Sequence, residues 1–357
     1  MKVFLICCIL IISIIYLNLI RSNSHNFWDH QPVMRNYDNK NTYIIGMIPN
    51  FNIDFGNYSI KVEHNRDMLE IYSFLNNNFS NTFNIDYNYF KHNYYKHNSK
   101  NIVLTLNGEI ISYINSIPII VYNKPYRLKF NFVDYLCVKK NLRKKNLASL
   151  IISSFLSTFN NKNEYFLFKI EKVPLPFCHI LKTAYYLKKI DMLHKYSNRL
   201  ANEVIDICEL SNNNIDRIYK IYKNSISQYN FFSIFEKKEF IDTFIKYKSL
   251  KLIIINHYNP LLILGKPNYY KLENVTYKSF DVDVILGNKS ICLKKIDYYI
   301  NYYMIKNKYQ YLCIPNIADN LKYINLLNMS KGMDLYYYTY NLNQKKFTVK
   351  DFCLNIN

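Results

Sequence analysis

Apolar positions recur along the chain at two spacings, and the switches between them outline the elements. Val3 to Ile20 is apolar except for Ser13 and Asn18 and lies between Lys2 and Arg21. At about 1.5 Å per helical residue this run barely spans a bilayer core, so residues 1–25 read as a signal-anchor or signal peptide. No small-x-small cleavage pattern follows, which tips the reading toward an uncleaved anchor; a buried core helix is the third option. Asn26 to Val33 reads as extended, stopped by Pro32, and 34–44 as a polar loop. From Arg66 to Asn77 a helix is predicted, with Met68, Leu69, Ile71, Tyr72 and Leu75 on one face. Residues 76–100, rich in Asn, Tyr and His, read as irregular. Strands follow at 102–106 and 110–122 around Asn107-Gly108, a hairpin signal.

Lys129 to Val138 alternates as a strand, with Phe130, Phe132, Asp134, Leu136 and Val138 on one face and Val133, Tyr135 and Cys137 on the other. Lys139 to Asn146 then holds five basic residues in eight positions, and Leu147 to Phe159 is an apolar helix candidate. Strand, basic loop and helix together present free backbone N–H groups and a positive dipole end to a phosphate. A solvated basic loop between two elements accounts for the same residues. Beyond it a strand is predicted at 164–170, a turn at Pro174-x-Pro176 and a helix at 178–188. The second half reads as helices at 213–226, 235–246 and 293–306, with strands at 251–256, 262–265, 310–314 and 334–342. Both halves mix strands and helices, which predicts two α/β lobes.

The chain has 357 residues and a formal charge of +20, but its 39 Lys against 7 Arg are spread throughout. Such drift in composition produces the charge without a polyanionic partner, and no nucleic-acid-binding motif accompanies it. Neither Gly-x-x-x-x-Gly-Lys-Ser/Thr nor Gly-x-Gly-x-x-Gly occurs, which disfavours an NTPase or Rossmann reading. The 8 Cys (Cys7, Cys8, Cys137, Cys178, Cys208, Cys292, Cys313, Cys353) include no Cys-x-x-Cys and read as mostly buried free thiols. His92 and His97 are five apart in a stretch that reads as a surface loop, and no metal site is expected.

Several segments resemble the N-myristoyltransferase family. Asn26-Phe27-Trp28-Asp29-His30-Gln31-Pro32-Val33 resembles its Phe-Trp-x-Thr-Gln-Pro-Val segment. Asp134 to Ala148, Asp-Tyr-Leu-Cys-Val-Lys-Lys-Asn-Leu-Arg-Lys-Lys-Asn-Leu-Ala, is similar to its Asn-Phe-Leu-Cys-Val-His-Lys-Lys-Leu-Arg-Ser-Lys-Arg-Leu-Ala block. Pro174-Leu175-Pro176 matches its Leu-Pro-x-Pro segment, and Leu335 to Asn341 its Leu-x-Tyr-Tyr-x-Tyr-Asn strand. Order and spacing agree from Asn26 to the end of the chain.

The resemblance implies an α/β (α+β) fold of two pseudo-symmetric acyl-CoA N-acyltransferase-like lobes around a continuous twisted mixed sheet, after the N-terminal apolar segment. Residues 26–195 would be the acyl-CoA-binding lobe and 196–357 the peptide-binding lobe. The implied reaction moves a myristoyl group from myristoyl-CoA, a co-substrate, to the amine of an N-terminal glycine; no permanently bound cofactor is expected. Backbone N–H groups at Tyr135 and Leu136 would stabilise the oxyanion. Asn26, Phe27, Trp28, Cys137, Val138, Arg143, Lys144, Lys145, Asn146, Leu147 and Ala148 would complete the CoA site, with amides at the helix start holding the phosphates. The terminal carboxylate, on Asn357, would be the base that deprotonates the glycine ammonium. Departures gather on the peptide side. Asp134 stands for an Asn and Phe168 for a Thr, no acidic cluster follows Phe79, and Lys331-Gly332-Met333 replaces Gly-Asp-Gly. Alternatives are therefore a catalytically silent paralogue that binds acyl-CoA or an acylated partner, and an N-acyltransferase for a non-peptide amine. The expected partners are myristoyl-CoA, N-terminal-glycine peptides and, through residues 3–20 if uncleaved, a membrane; no nucleic acid is expected and the chain is expected to be a monomer. Localisation follows the N-terminal segment: membrane-associated or secretory if it is used, cytoplasmic if not.

Overall fold

The structure is a computed structural model that describes residues 27–35, 60–64, 66–79, 83–96, 98–159, 164–191, 207–255, 260–272, 275–287, 293–342, 344 and 346–354. Its first half runs β1 (Ile60–Glu63), α1 (Met68–Asn78), β2 (Phe83–Asn84), α2 (Tyr87–Tyr94), β3 (Lys100–Leu106), β4 (Glu109–Asn123), β5 (Tyr126–Val138), α3 (Leu147–Leu156), β6 (Tyr165–Glu171) and β7 (Leu181–Lys189). Its second runs β8 (Ile207–Glu209), α4 (Ile215–Ile226), β9 (Phe231–Ser233), α5 (Lys237–Ile241), β10 (Lys251–Ile255), β11 (Leu261–Leu272), β12 (Val275–Gly287), α6 (Leu293–Lys306), β13 (Tyr311–Pro315), α7 (Asn320–Leu326), β14 (Ser330–Tyr340) and β15 (Phe352–Cys353).

One mixed sheet joins them in the order β1-β3-β4-β5-β6-β14-β7-β13-β12-β11-β10-β8. Reading inward from each edge gives the same succession of elements, so the halves are related by a pseudo-two-fold axis between β14 and β7. Along this path each half carries one parallel pair among the described residues, β5–β6 around α3 and β12–β13 around α6, and off the path β15 runs parallel to β9. The last strand of each half crosses over: β7 pairs with β13, and β14 with β6.

Local chemistry explains the elements near the site. The Asp67 carboxylate caps α1 by accepting the N–H of Leu69 at 2.6 Å, and Asp86 caps α2 by accepting that of Tyr89 at 2.8 Å. Asn107 and Gly108, with φ of 52° and 80°, make the predicted hairpin turn between β3 and β4. Helix α3 packs Leu147, Ile151 and Phe155 against Ile114 of β4 and Phe166 of β6.

Four expectations are corrected. Where a helix was expected at 178–188, Leu181–Lys189 form β7, because this segment lies at the sheet's centre between β14 and β13. Leu181, Ala184, Tyr185 and Lys188 recur at helical spacing, and pairing with both neighbouring strands overrides that local signal. The stretch 76–100 contains α2, whose Tyr89, Phe90 and Asn93 are buried; His92 sits half-buried on this helix beside Tyr247. On α1 it is Phe74 that turns inward, while Leu69 is 57% exposed. Within the segment expected to be extended, Trp28–His30 is a 3-10 turn. The chain then docks on the sheet through a Val33–Tyr340 bridge and a 2.6 Å hydrogen bond from the Tyr340 hydroxyl to Gln31 Oε1. Strand β12 had no counterpart in the reading of the second half. The N-terminal apolar run, Asn26, His97, Cys7, Cys8, Cys292 and Asn357 lie outside the described residues. Among the described residues no helix is long and apolar enough to cross a membrane.

Candidate active site

The site begins where two parallel strands part. Phe130–Val133 of β5 pair with Tyr165–Phe168 of β6, and beyond that register the strands separate. At the same point β5 carries a bulge: Tyr113 of β4 opposes Cys137, and Asn115 opposes Asp134. Three steps on β5 therefore match two on β4, and Tyr135 takes a φ of 53°. The extra residue reverses the alternation. Phe130, Phe132, Asp134, Tyr135 and Cys137 share one face, and Val133, Leu136 and Val138 the other, which corrects the simple alternation expected from sequence. The bulge leaves Tyr135 and Leu136 without cross-strand partners in the register. The Tyr135 N–H instead donates to Asp134 Oδ1 at 2.8 Å.

Two cavities meet here. The first, of about 290 Å³, is apolar and lies between the parted strands and α3. Val133, Leu136, Ile152, Phe155, Phe166 and Phe168 line it, and Trp28 closes one side. Trp28 stacks on Phe168 at 6.4 Å and 13° and touches Phe27 and Phe177. Phe168 thus belongs to an aromatic wall. The second cavity, of about 410 Å³, is polar and is lined by Tyr89, Lys172, Tyr185, Lys266, Tyr270, Asp281 and Met333, among others. Phe79, Asp134, Tyr135 and Lys169 line both.

The polar cavity sits against buried charge. Lys169 donates to the Tyr185 hydroxyl at 3.4 Å. Burial works against its charge, but the oxygens of Tyr185, Tyr337, Asp134 and Glu171 outweigh this and hold its pKa well above the usual lysine value. From the second half, β12 brings Asp281 and Asp283. Asp281 accepts hydrogen bonds from Asn268, Tyr270 and Ser279 at 2.8, 3.2 and 2.9 Å. Asp283, 1% exposed, lies at a bulge of β12 that is the symmetry counterpart of the one in β5. Both its oxygens lack hydrogen-bond partners among the described residues, and burial pushes its pKa up to about 7. The sequence signal for this cluster was present: a lysine inside Tyr165–Ile170, and two aspartates alternating within Phe280–Leu286.

The basic turn leads into a helix start without a side-chain cap. After a 3-10 turn at Lys140–Leu142, Lys144 and Asn146 adopt φ of 65° and 58° and lead into α3, whose N-terminus no side chain caps. The side chains of Lys144 and Lys145 are exposed and make no ion pair among the described residues. Arg143 instead ties the turn to the body, donating from Nε to the Val138 carbonyl at 3.3 Å and from its terminal nitrogen to that of Asn78. Lys139 pairs with Glu109. Leu147 is buried in the core and Ala148 exposed in the first helical turn. Cys137 faces the interior, where burial pushes its thiol up to about 12 against the pull of Arg143 and Lys140. Cys178, Cys313 and Cys353 are also buried free thiols, and Cys208 is half-buried.

The tail is drawn inward as far as it is described. Phe352 and Cys353 pair with Phe231 and Phe232 of β9, and Phe352, Cys353 and Leu354 are all buried. Both faces of this short strand meet protein.

Comparisons with known proteins agree with this architecture. Residues 40–166 match the sequence model of the Myristoyl-CoA:protein N-myristoyltransferase N-terminal domain. A putative glycylpeptide N-tetradecanoyltransferase of Amsacta moorei entomopoxvirus is 23% identical over 333 residues, covering 89% of this chain and 97% of that protein. The glycylpeptide N-tetradecanoyltransferase of Plasmodium falciparum (isolate 3D7) is 22% identical over 273 residues, 66% of this chain and 63% of that protein. The crystal structure of Saccharomyces cerevisiae N-myristoyltransferase with bound myristoyl-CoA superposes with a TM-score of 0.72 at 16% identity, covering 91% of this chain and 94% of that one. With the motifs, the parted strands and the two-fold sheet, these matches liken the chain to the N-myristoyltransferases, in sequence through the N-terminal-domain model over residues 40–166 and in fold across both halves.

Proposed function

We propose that the protein transfers a myristoyl group from myristoyl-CoA to the amine of an N-terminal glycine. The observation that carries this reading is the junction of the two cavities at Asp134, Tyr135 and Lys169. The apolar cavity suits an acyl chain, and the turn from Arg143 to Ala148 at the start of α3 suits the phosphates of CoA. The polar cavity suits an amine, and the thioester would lie where the cavities meet. Attack of the neutral amine on the thioester carbon forms a C–N bond and a tetrahedral oxyanion. Collapse of that intermediate breaks the C–S bond and releases CoA thiolate, while the amine's protons leave to bases. The N–H groups of Tyr135 and Leu136, freed from the ladder by the bulge, are the donors for the oxyanion. The test is release of CoA from myristoyl-CoA in the presence of glycine-starting peptides, with the acylated peptide identified by mass.

One observation favours a second reading. The Asp134 carboxylate occupies the Tyr135 N–H, one of the two oxyanion donors. A silent acyl-CoA-binding paralogue would keep that contact permanently. It would bind myristoyl-CoA with ordinary affinity and acylate no peptide. For residues 1–25 the reading is attachment to a membrane, and fractionation of the full chain against a form lacking them tests it.

A further inference from the structure

Lys266 is the charged group in the polar cavity whose neighbours do not explain it. It stands on β11 directly opposite Asp281 of β12, on the same face of the sheet. Cross-strand neighbours of opposite charge ordinarily pair. Here they do not, because the Asp281 oxygens are turned to Asn268, Tyr270 and Ser279. The other carboxylates around the cavity are also engaged or peripheral. Asp86 caps α2, Asp134 accepts the Tyr135 N–H, and Glu171 is exposed at the rim. Asp283 acts on Lys266 through space but forms no ion pair with it. Among the described residues the Lys266 ammonium has no hydrogen bond or ion pair. It rests over the Tyr89 ring, 3.8 Å from its centre, a contact that favours the charged form and leaves the donors free.

Position matters as much as charge. Lys266 lines the polar cavity and not the apolar one, whereas Asp134 and Lys169 line both. An acceptor whose amine reaches the thioester junction therefore extends its following residues toward Lys266. Resting on the acyl-transfer reading above, we infer that Lys266 binds an anionic group of the acceptor. The site then favours glycine-starting acceptors with a carboxylate side chain shortly after the glycine over those with a basic one. A bound carboxylate also offsets the burial that disfavours the Lys266 charge.

The experiment measures equilibrium binding of fluorescent glycine-starting peptides to the full chain loaded with a non-cleavable thioether analogue of myristoyl-CoA. The peptides differ only in carrying Glu, Gln or Lys at the second, third or fourth position. At one position Glu is expected to bind about tenfold tighter than Gln, and Lys weaker than Gln. Lys266→Met removes the discrimination, Lys266→Glu reverses it, and Lys266→Arg keeps it; thermal melts confirm that each variant is folded. Equal binding of the Glu and Gln peptides at every position overturns the inference. So does a Glu preference that survives in Lys266→Met, or no measurable binding of any peptide. Acyl transfer to the Gln peptides is followed separately. Charge-dependent binding without transfer would refute the transferase reading and leave the anion-recognition inference standing.

Discussion

Replacing Asp134 by Asn separates the two roles its position permits. As a carboxylate it holds the Tyr135 N–H at 2.8 Å. For that N–H to serve an oxyanion, the carboxylate has to let go. A charge-assisted hydrogen bond contributes roughly 1.5–3 kcal/mol, and a neutral one about 0.5–1.5 kcal/mol. The amide of Asn keeps the shape and weakens the competing bond by about 1–1.5 kcal/mol, and it removes a negative charge from beside the forming oxyanion. If the donor must be freed in the rate-limiting step, Asp134→Asn raises the acyl-transfer rate about tenfold, since about 1.4 kcal/mol is a factor of ten. The assay is single-turnover release of CoA thiol with saturating acyl-CoA and peptide. Binding of myristoyl-CoA should change little, because Asp134 lies at the edge of the apolar cavity. A rate that falls with Asn would refute this reasoning. It would show that the carboxylate's attraction for the incoming ammonium outweighs its hold on the N–H.

Other predictions follow from single features. Asp283 has a folded pKa near 7, above its unfolded value, so stability is fully present below about pH 4 and is lost as pH rises through 7. A shift of roughly 3 units corresponds to at most about 4 kcal/mol; Asp283→Asn should raise the melting temperature at pH 8 and hardly at pH 5, and equal gains at both would refute the assignment. Gly265 packs so closely that an added Cβ would lie 2.5 Å from the Asp281 carbonyl and 2.9 Å from the Phe280 ring. Gly265→Ala should therefore cost about 1–3 kcal/mol by denaturant unfolding. Lys144→Ala with Lys145→Ala should weaken acyl-CoA binding severalfold at low salt and less at high salt, as read by titration at both ionic strengths. Ile152→Trp, which fills part of the apolar cavity, should shift preference toward shorter acyl-CoAs in competition assays while leaving the fold intact.

What the chain declared in advance depended on how local its causes are. The β3–β4 hairpin was legible because Asn107 and Gly108 tolerate positive φ, and α3 because its apolar face follows a basic turn directly. The strand β5 was legible but its faces were not. A bulge depends on pairing with β4, and it exchanges the sides of Tyr135, Leu136, Cys137 and Val138. The nature of β7 was hidden because Leu181, Ala184, Tyr185 and Lys188 recur at helical spacing, and only pairing with β13 and β14 makes the segment a strand. Strand β12 was hidden because Asp281 and Asp283 oppose strand propensity, and the setting of Asp281 comes from the polar cavity it lines. The motif positions from Tyr135 to Ala148 were readable as a block. Lys169 and Lys266, about a hundred residues apart, reach one cavity only through the two-fold sheet.

The exchange of terminal strands governs how this chain can be made. While the first half leaves the ribosome, β6 has an open edge facing the place that β14 will fill, and β14 lies some 160 residues downstream. The wall of the apolar cavity, including Phe166 and Phe168, is exposed for that interval. Neither half is therefore a self-sufficient folding unit, and a chain cut before β14 would present a sticky apolar edge in place of a binding site. Completion of the acyl pocket waits on the synthesis of β14, so termination before it should yield aggregates and not a smaller enzyme.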